Sequence, residues 1–155
     1  MLQKLILGLL LLFTWCTQAA QATVHITGDR GGRIGDYIEK YRGLRTSGES
    51  VVIDGMCASA CTIVLGAVAQ NKICVTRRAY LGFHAAWDQG TNQYGEQAAI
   101  TNPAATQLLY SLYPGQVRRW IAQHGGLQSQ MIFLQGKQLQ SMYKPCTTDA
   151  NAQYQ

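Results

Sequence analysis

Ser59 lies among small residues, in the stretch Gly55-Met56-Cys57-Ala58-Ser59-Ala60-Cys61-Thr62, with Ile63-Val64-Leu65 behind it. Small neighbours let a substrate backbone come close to the hydroxyl. The stretch sits between a strand-like segment, Val51-Val52-Ile53, and a helix-like one from Thr62 to Ala69. The unpaired N–H groups and positive dipole end of that helix would then face the carbonyl that Ser59 approaches. This is the physics of a nucleophile elbow, although the G-x-S-x-G spelling is absent. Gly31-Gly32 ends the first strand and opens the first helix, so an N–H from this pair and that of Ala60 could form a two-donor oxyanion hole, worth about 3 to 4 kcal/mol per donor. His84 closes the strand-like Tyr80-Leu81-Gly82-Phe83-His84, where a parallel sheet presents a general base. His25, mid-strand, and His124, in a helix-ending turn, are less well placed. Taken singly, each feature is commonly structural.

The elements that must position these groups alternate along the chain. Thr23 to Thr27 reads as a strand and Gly28 to Gly32 as a turn. Ile34, Tyr37, Ile38, Tyr41 and Leu44 fall at helical spacing before Ser47-Gly48. Val51 to Ile53, Lys72 to Thr76 and Tyr80 to His84 read as further strands, with the Ser59 helix between the first two. Strand, helix, strand, helix, strand predicts right-handed crossovers and a largely parallel α/β sheet. Ala85 to Asn102 reads as a long polar loop beside the site. Pro103 suits a helix N1 position, with Ala104 to Tyr113 following. Pro114-Gly115 breaks that helix, Val117 to His124 forms a second one stopped by Gly125-Gly126, Met131 to Leu134 is a short apolar stretch, and Gly136 to Tyr143 a last helix.

Residues 1–22 read as a secretory signal peptide: Lys4 supplies the positive start, Leu5 to Phe13 the apolar run and Ala20-Gln21-Ala22 the cleavage site. The apolar run is about half the length a bilayer crossing needs. A single domain over 23–155 remains, exported to the periplasm or secreted. Its charge, 12 basic against 8 acidic residues once Lys4 is removed, is spread along the chain without a basic run or basic-aromatic motif, which argues against nucleic acid. Four cysteines are left, Cys57, Cys61, Cys74 and Cys146, an even number that suits two disulfides in an oxidising compartment. Of three connectivities, Cys61–Cys74 with Cys57–Cys146 is preferred, because the first pair brackets one helix-to-strand connection. A zinc site from Cys57, Cys61, Cys74 and His84 is the rival chemistry, but it lacks paired CxxC spacing.

A glycine pair opening a helix, a serine in a small-residue turn 28 residues after its first glycine, and a histidine 25 residues further on resemble the ClpP protease of the ClpP/crotonase superfamily. The matching pieces are Gly31-Gly32, Cys57-Ala58-Ser59-Ala60-Cys61 and Leu81-Gly82-Phe83-His84. The resemblance implies Ser59 as nucleophile, His84 as general base, the N–H groups of Gly32 and Ala60 as oxyanion hole, and a spiral of β-α-β units with a helical C-terminal part. It also implies a homo-oligomer. The acidic third member of the triad is missing: the corresponding region is Gln128-Ser129-Gln130-Met131, and such a loss can cost about 10⁴ in rate. Gln130 or a backbone carbonyl is left to orient His84; Asp88 is too near it in sequence to reach behind the ring. The implied function is a serine hydrolase acting on peptide or protein substrates without cofactor or metal. A non-catalytic fold binding peptides or an envelope partner is the alternative. A crotonase-type acyl-thioester activity ranks last, because coenzyme A is not expected outside the cytoplasm.

Overall fold

The computed structural model describes residues 22–147. The expected leader lies outside them apart from Ala22. In chain order the elements are β1 (Thr23–Asp29), α1 (Ile34–Ser47), β2 (Ser50–Ala58), a 3₁₀ helix (Ser59–Ile63), α2 (Val64–Ala67), a 3₁₀ turn (Gln70–Lys72), β3 (Ile73–Val75), β4 (Tyr80–Phe83), β5 (Trp87–Thr91), β6 (Gln97–Thr101), α3 (Pro103–Ser111), α4 (Gly115–Gln123), β7 (Ile132–Gln135) and α5 (Gly136–Met142).

β2 is the spine. Val51, Val52, Ile53, Cys57 and Ala58 are all buried, as a strand covered on both faces requires. β1 runs parallel along one edge. The other edge is shared: β3 lies parallel to Val51–Ile53 and β4 parallel to Met56–Ala58. β2 carries an extra residue against β1 between Ile26 and Gly28. Gly55 sits in that bulge, where a Cβ would come within 2.0 Å of the Thr27 carbonyl oxygen. The strand therefore continues past the expected Ile53 and delivers Ser59 directly at its carboxyl end.

The expected largely parallel ClpP/crotonase-like spiral is overturned. β7 pairs antiparallel with β4, joining Phe83 to Ile132 and Tyr80 to Gln135. The chain reaches β7 at the end where β4 finishes, and no crossover carries it back to run parallel. β5 and β6 form a separate two-stranded antiparallel sheet in the stretch expected to be a loop. Asn92 shapes their turn by accepting the N–H groups of Tyr94 and Glu96. The result is a small mixed sheet with helices and a hairpin.

Helix boundaries follow from local chemistry. α1 ends where Gly48 takes φ 69° and its N–H reaches the Leu44 carbonyl at 3.1 Å. α3 starts with Pro103 at its first position, and the Asn102 side chain accepts the Ala105 N–H at 2.9 Å. Helices and sheet share one apolar core, in which Phe83 meets Tyr113 edge-on at 5.3 Å and Trp120 at 5.8 Å. Among the described residues, no helix is long and apolar enough to cross a membrane.

The cysteines pair as Cys57–Cys61 and Cys74–Cys146, not in the preferred connectivity. The chain turns so tightly after β2 that the Cα atoms of Cys57 and Cys61 are 5.3 Å apart. Cys146 is brought beside Cys74 because Lys144 and Cys146 exchange backbone hydrogen bonds with Val75. With every one of these thiols oxidised, the zinc alternative loses its ligands.

Candidate active site

Among the described residues, Ser59 is the one non-glycine residue with positive φ, at 56°. A left-handed serine between a strand and a helix costs about 1 to 2 kcal/mol, so surrounding structure must hold it there. Four features do so. The Cys57–Cys61 bridge spans the turn. Thr62 donates its hydroxyl to the Ser59 carbonyl at 2.6 Å. That commits the single Thr62 hydroxyl proton, so the buried Tyr113 hydroxyl donates to Thr62 across 2.7 Å. Burial pushes the Tyr113 pKa up, which keeps this donor protonated. Finally, Gly31 packs against the turn from the other side: at φ 81°, a Cβ there would fall 2.6 Å from the Ala58 oxygen and 2.7 Å from both the Ala60 nitrogen and the Ser59 Cβ.

Gly31 donates its own N–H to the Asp29 carboxylate at 2.8 Å. Tyr37 and Lys40 donate to the same carboxylate. Burial opposes ionisation of Asp29, but these hydrogen bonds outweigh it and hold its pKa below the ordinary value. The Gly32 N–H, by contrast, has no acceptor among the described residues. Ala60 follows Ser59 directly, at the start of the 3₁₀ helix, where an N–H lacks an intrahelical partner. The helix expected over Thr62 to Ala69 is instead this 3₁₀ helix and the single turn of α2. Its dipole is correspondingly short, and individual N–H groups are what the turn offers.

A cavity of about 600 Å³ brings Gly32, Ser59 and His84 together, with Trp87 and Asp88 from the hairpin on its rim. Ala60 is fully buried behind Ser59. His84 follows β4, is 9% exposed, and has Nδ1 at 2.6 Å from the Ala85 carbonyl oxygen. A carbonyl only accepts, so Nδ1 is the donor, and in the neutral ring the lone pair is on Nε2. Ala85 is itself fixed by its N–H to the Gln128 carbonyl at 2.7 Å. The orienting role thus falls to main chain, and Gln130 is exposed without a hydrogen bond to the ring. Ser129 and Met131, on either side of Gln130, line a second cavity against His84. Among the described residues no hydrogen bond joins Ser59 to His84.

Sequence reasoning passed over four residues around the crevice, Ala85, Trp87, Arg30 and Arg33. The Ala85 carbonyl has no signature, because any residue carries one. Trp87 belongs to a strand that lacked alternation. Arg30 and Arg33 flank the glycine pair and were readable from adjacency alone. Among the described residues, no cluster of three or more His, Cys, Asp or Glu side chains could hold a metal ion.

A small mixed α/β fold that strains one serine beside a carbonyl-held histidine defines a Ser/His crevice on a disulfide-pinned turn. No protein-family model matches the chain, and no curated protein matches it either.

Proposed function

We propose that this protein is an exported serine hydrolase, a peptidase acting on peptide or protein substrates by acyl transfer. The observation that carries the reading is Ser59 at φ 56° on the wall of the cavity that His84 also lines. Ser59 Oγ attacks the substrate carbonyl and forms the acyl C–O bond while its proton passes to His84 Nε2. The oxyanion rests on the Gly32 and Ala60 N–H groups. His84 returns the proton to the leaving amine as the C–N bond breaks; water, deprotonated by the same nitrogen, then bonds to the acyl carbon, the acyl–Oγ bond breaks, the proton passes from His84 to Ser59 Oγ and the acid leaves. Hydrogen bonds of this kind are often open in the free enzyme and tighten with substrate. The order and spacing of Gly31-Gly32, Ser59 and His84 support a motif-level relation to the ClpP proteases. The signal-like 1–22 segment and the two disulfides support a periplasmic or secreted location. Self-association belongs to the same reading and is checked by sedimentation.

The alternative, a non-catalytic crevice that binds peptides or an envelope partner, is favoured by the finding that, among the described residues, His84 hydrogen-bonds a carbonyl and not a carboxylate, and no hydrogen bond joins Ser59 to His84. Fluorophosphonate labelling of the oxidised protein separates the two. Adduct on Ser59, lost in His84→Ala, is expected for the hydrolase. A folded sample that takes no label would transfer the reading to the binding crevice.

A further inference from the structure

The wall of the large cavity beside Ser59 includes one continuous stretch, residues 30–35. It carries two guanidinium groups, Arg30 and Arg33, on either side of Gly32. Asp29, beside Arg30 in the chain, is matched with Lys40, and Asp36, in the first turn of α1, is not part of the cavity lining. Arg30 and Arg33 enter no ion pair among the described residues. The one carboxylate on this cavity, Asp88, already accepts the Asn102 side-chain N–H at 2.7 Å. The lining of this cavity therefore carries two cations and one carboxylate that is partly occupied. Exposed arginines are ordinarily just solvated. A concave wall, however, concentrates their field, and the planar guanidinium fork suits a carboxylate held by two parallel hydrogen bonds.

We propose that this cavity selects ligands bearing a carboxylate, seated between Arg30 and Arg33 beside Ser59. As a statement about substrates this rests on the hydrolase reading, where the carboxylate would lie within a few residues of the bond attacked. As a statement about binding it does not need catalysis. Both an acidic side chain and a free peptide C-terminus offer the required group.

The test is calorimetric titration of the purified, oxidised Ser59→Ala protein with acetylated alanine-glycine hexapeptides. One pair differs only as Asp against Asn at a central position, the other only as free acid against amide at the C-terminus. At least one acidic member should bind roughly five- to tenfold tighter than its neutral counterpart, and the pair that does so identifies the source of the carboxylate. The preference should shrink as salt rises, vanish in Arg30→Gln/Arg33→Gln, and turn toward a Lys-bearing peptide in Arg30→Glu/Arg33→Glu. Circular dichroism confirms that these surface variants fold. Equal binding within both pairs, no binding by any peptide, or a preference that survives loss of both arginines would overturn the proposal. Fluorophosphonate labelling of the unaltered protein is read separately. Labelled Ser59 without charge preference sinks this inference alone, whereas charge preference without labelling sinks only the catalytic reading.

Discussion

Replacing Gly31 by alanine tests whether the loop before α1 and the Ser59 turn are built as one unit. Alanine at φ 81° carries a left-handed penalty of about 1 to 2 kcal/mol. Its methyl would also enter a space bounded at 2.6 to 2.7 Å by Ala58 O, Ala60 N and Ser59 Cβ. Two of these are backbone atoms of a disulfide-bridged turn and cannot swing aside, so an overpacking cost of about 1 to 3 kcal/mol is added. Restricting the unfolded chain returns about 0.4 to 1 kcal/mol. The expected net loss is about 1 to 4.6 kcal/mol, a fall of roughly 0.5 to 2.3 M in the urea midpoint at a slope of about 2 kcal/mol/M for a small domain. Gly28→Ala is the control, because nothing lies within 4 Å of a Cβ there. Urea unfolding followed by circular dichroism, beside fluorophosphonate labelling in buffer, gives both readouts. Gly31→Ala should lose stability and slow labelling together. A midpoint equal to that of Gly28→Ala would refute the packing argument, and with it the idea that Gly31 buttresses the serine.

Further expectations concern the supports of the same fold. Chain-entropy estimates give about 4.4 kcal/mol for the 72-residue separation closed by Cys74–Cys146 and about 2 kcal/mol for the separation of 4 closed by Cys57–Cys61; paired Cys→Ala variants should rank in that order by urea midpoint. Thr62→Val removes the bond to the Ser59 carbonyl and strands the Tyr113 hydroxyl, so it should cost about 1 to 3 kcal/mol in the same assay. Gln130→Ala should leave the labelling rate of Ser59 unchanged, since the ring is held by Ala85. The Tyr37 pKa is pushed up to about 12 by burial and by its bond to Asp29. A proton bound more tightly in the folded state stabilises fully below about pH 10. That stability should fade between about 10 and about 12, and Tyr37→Phe should flatten this limb of the stability-against-pH curve.

What could be read from the chain, and what could not, divides along physical lines. α1 was legible from its apolar spacing and its glycine stop, and the start of α3 from Pro103. These are local signals, carried by the residues that form the element. Placing His84 after a strand was also local. The direction of β7 was not, because Ile132-Phe133-Leu134 reads the same whichever way its neighbour runs. The hairpin was missed because Trp87-Asp88-Gln89-Gly90-Thr91 has no alternation: it is largely exposed and packs mainly on its own partner strand. Disulfide pairing depended on how tightly the chain turns after Ala58, which brings Cys57 against Cys61 and which a helix-to-strand connection bracketed by Cys61 and Cys74 does not reveal. At the site, residue types marked Ser59, His84 and the glycine pair, whereas the group that orients His84 is a carbonyl and leaves no mark in a sequence.

The bridge that encloses Ser59 also imposes an order of events. Cys57 and Cys61 are separated by four positions and wholly buried once joined, so the serine turn is completed by a chemical reaction as well as by folding. A chain still carrying both thiols lacks one of the four restraints on a backbone angle that serine disfavours. On the hydrolase reading, its Ser59 would be held less firmly and would react more slowly until the bridge closes. Time-resolved labelling during oxidative refolding would reveal a lag matching Cys57–Cys61 closure. On the hydrolase reading proposed above, an enzyme assembled in this way would be restrained wherever thiols stay reduced.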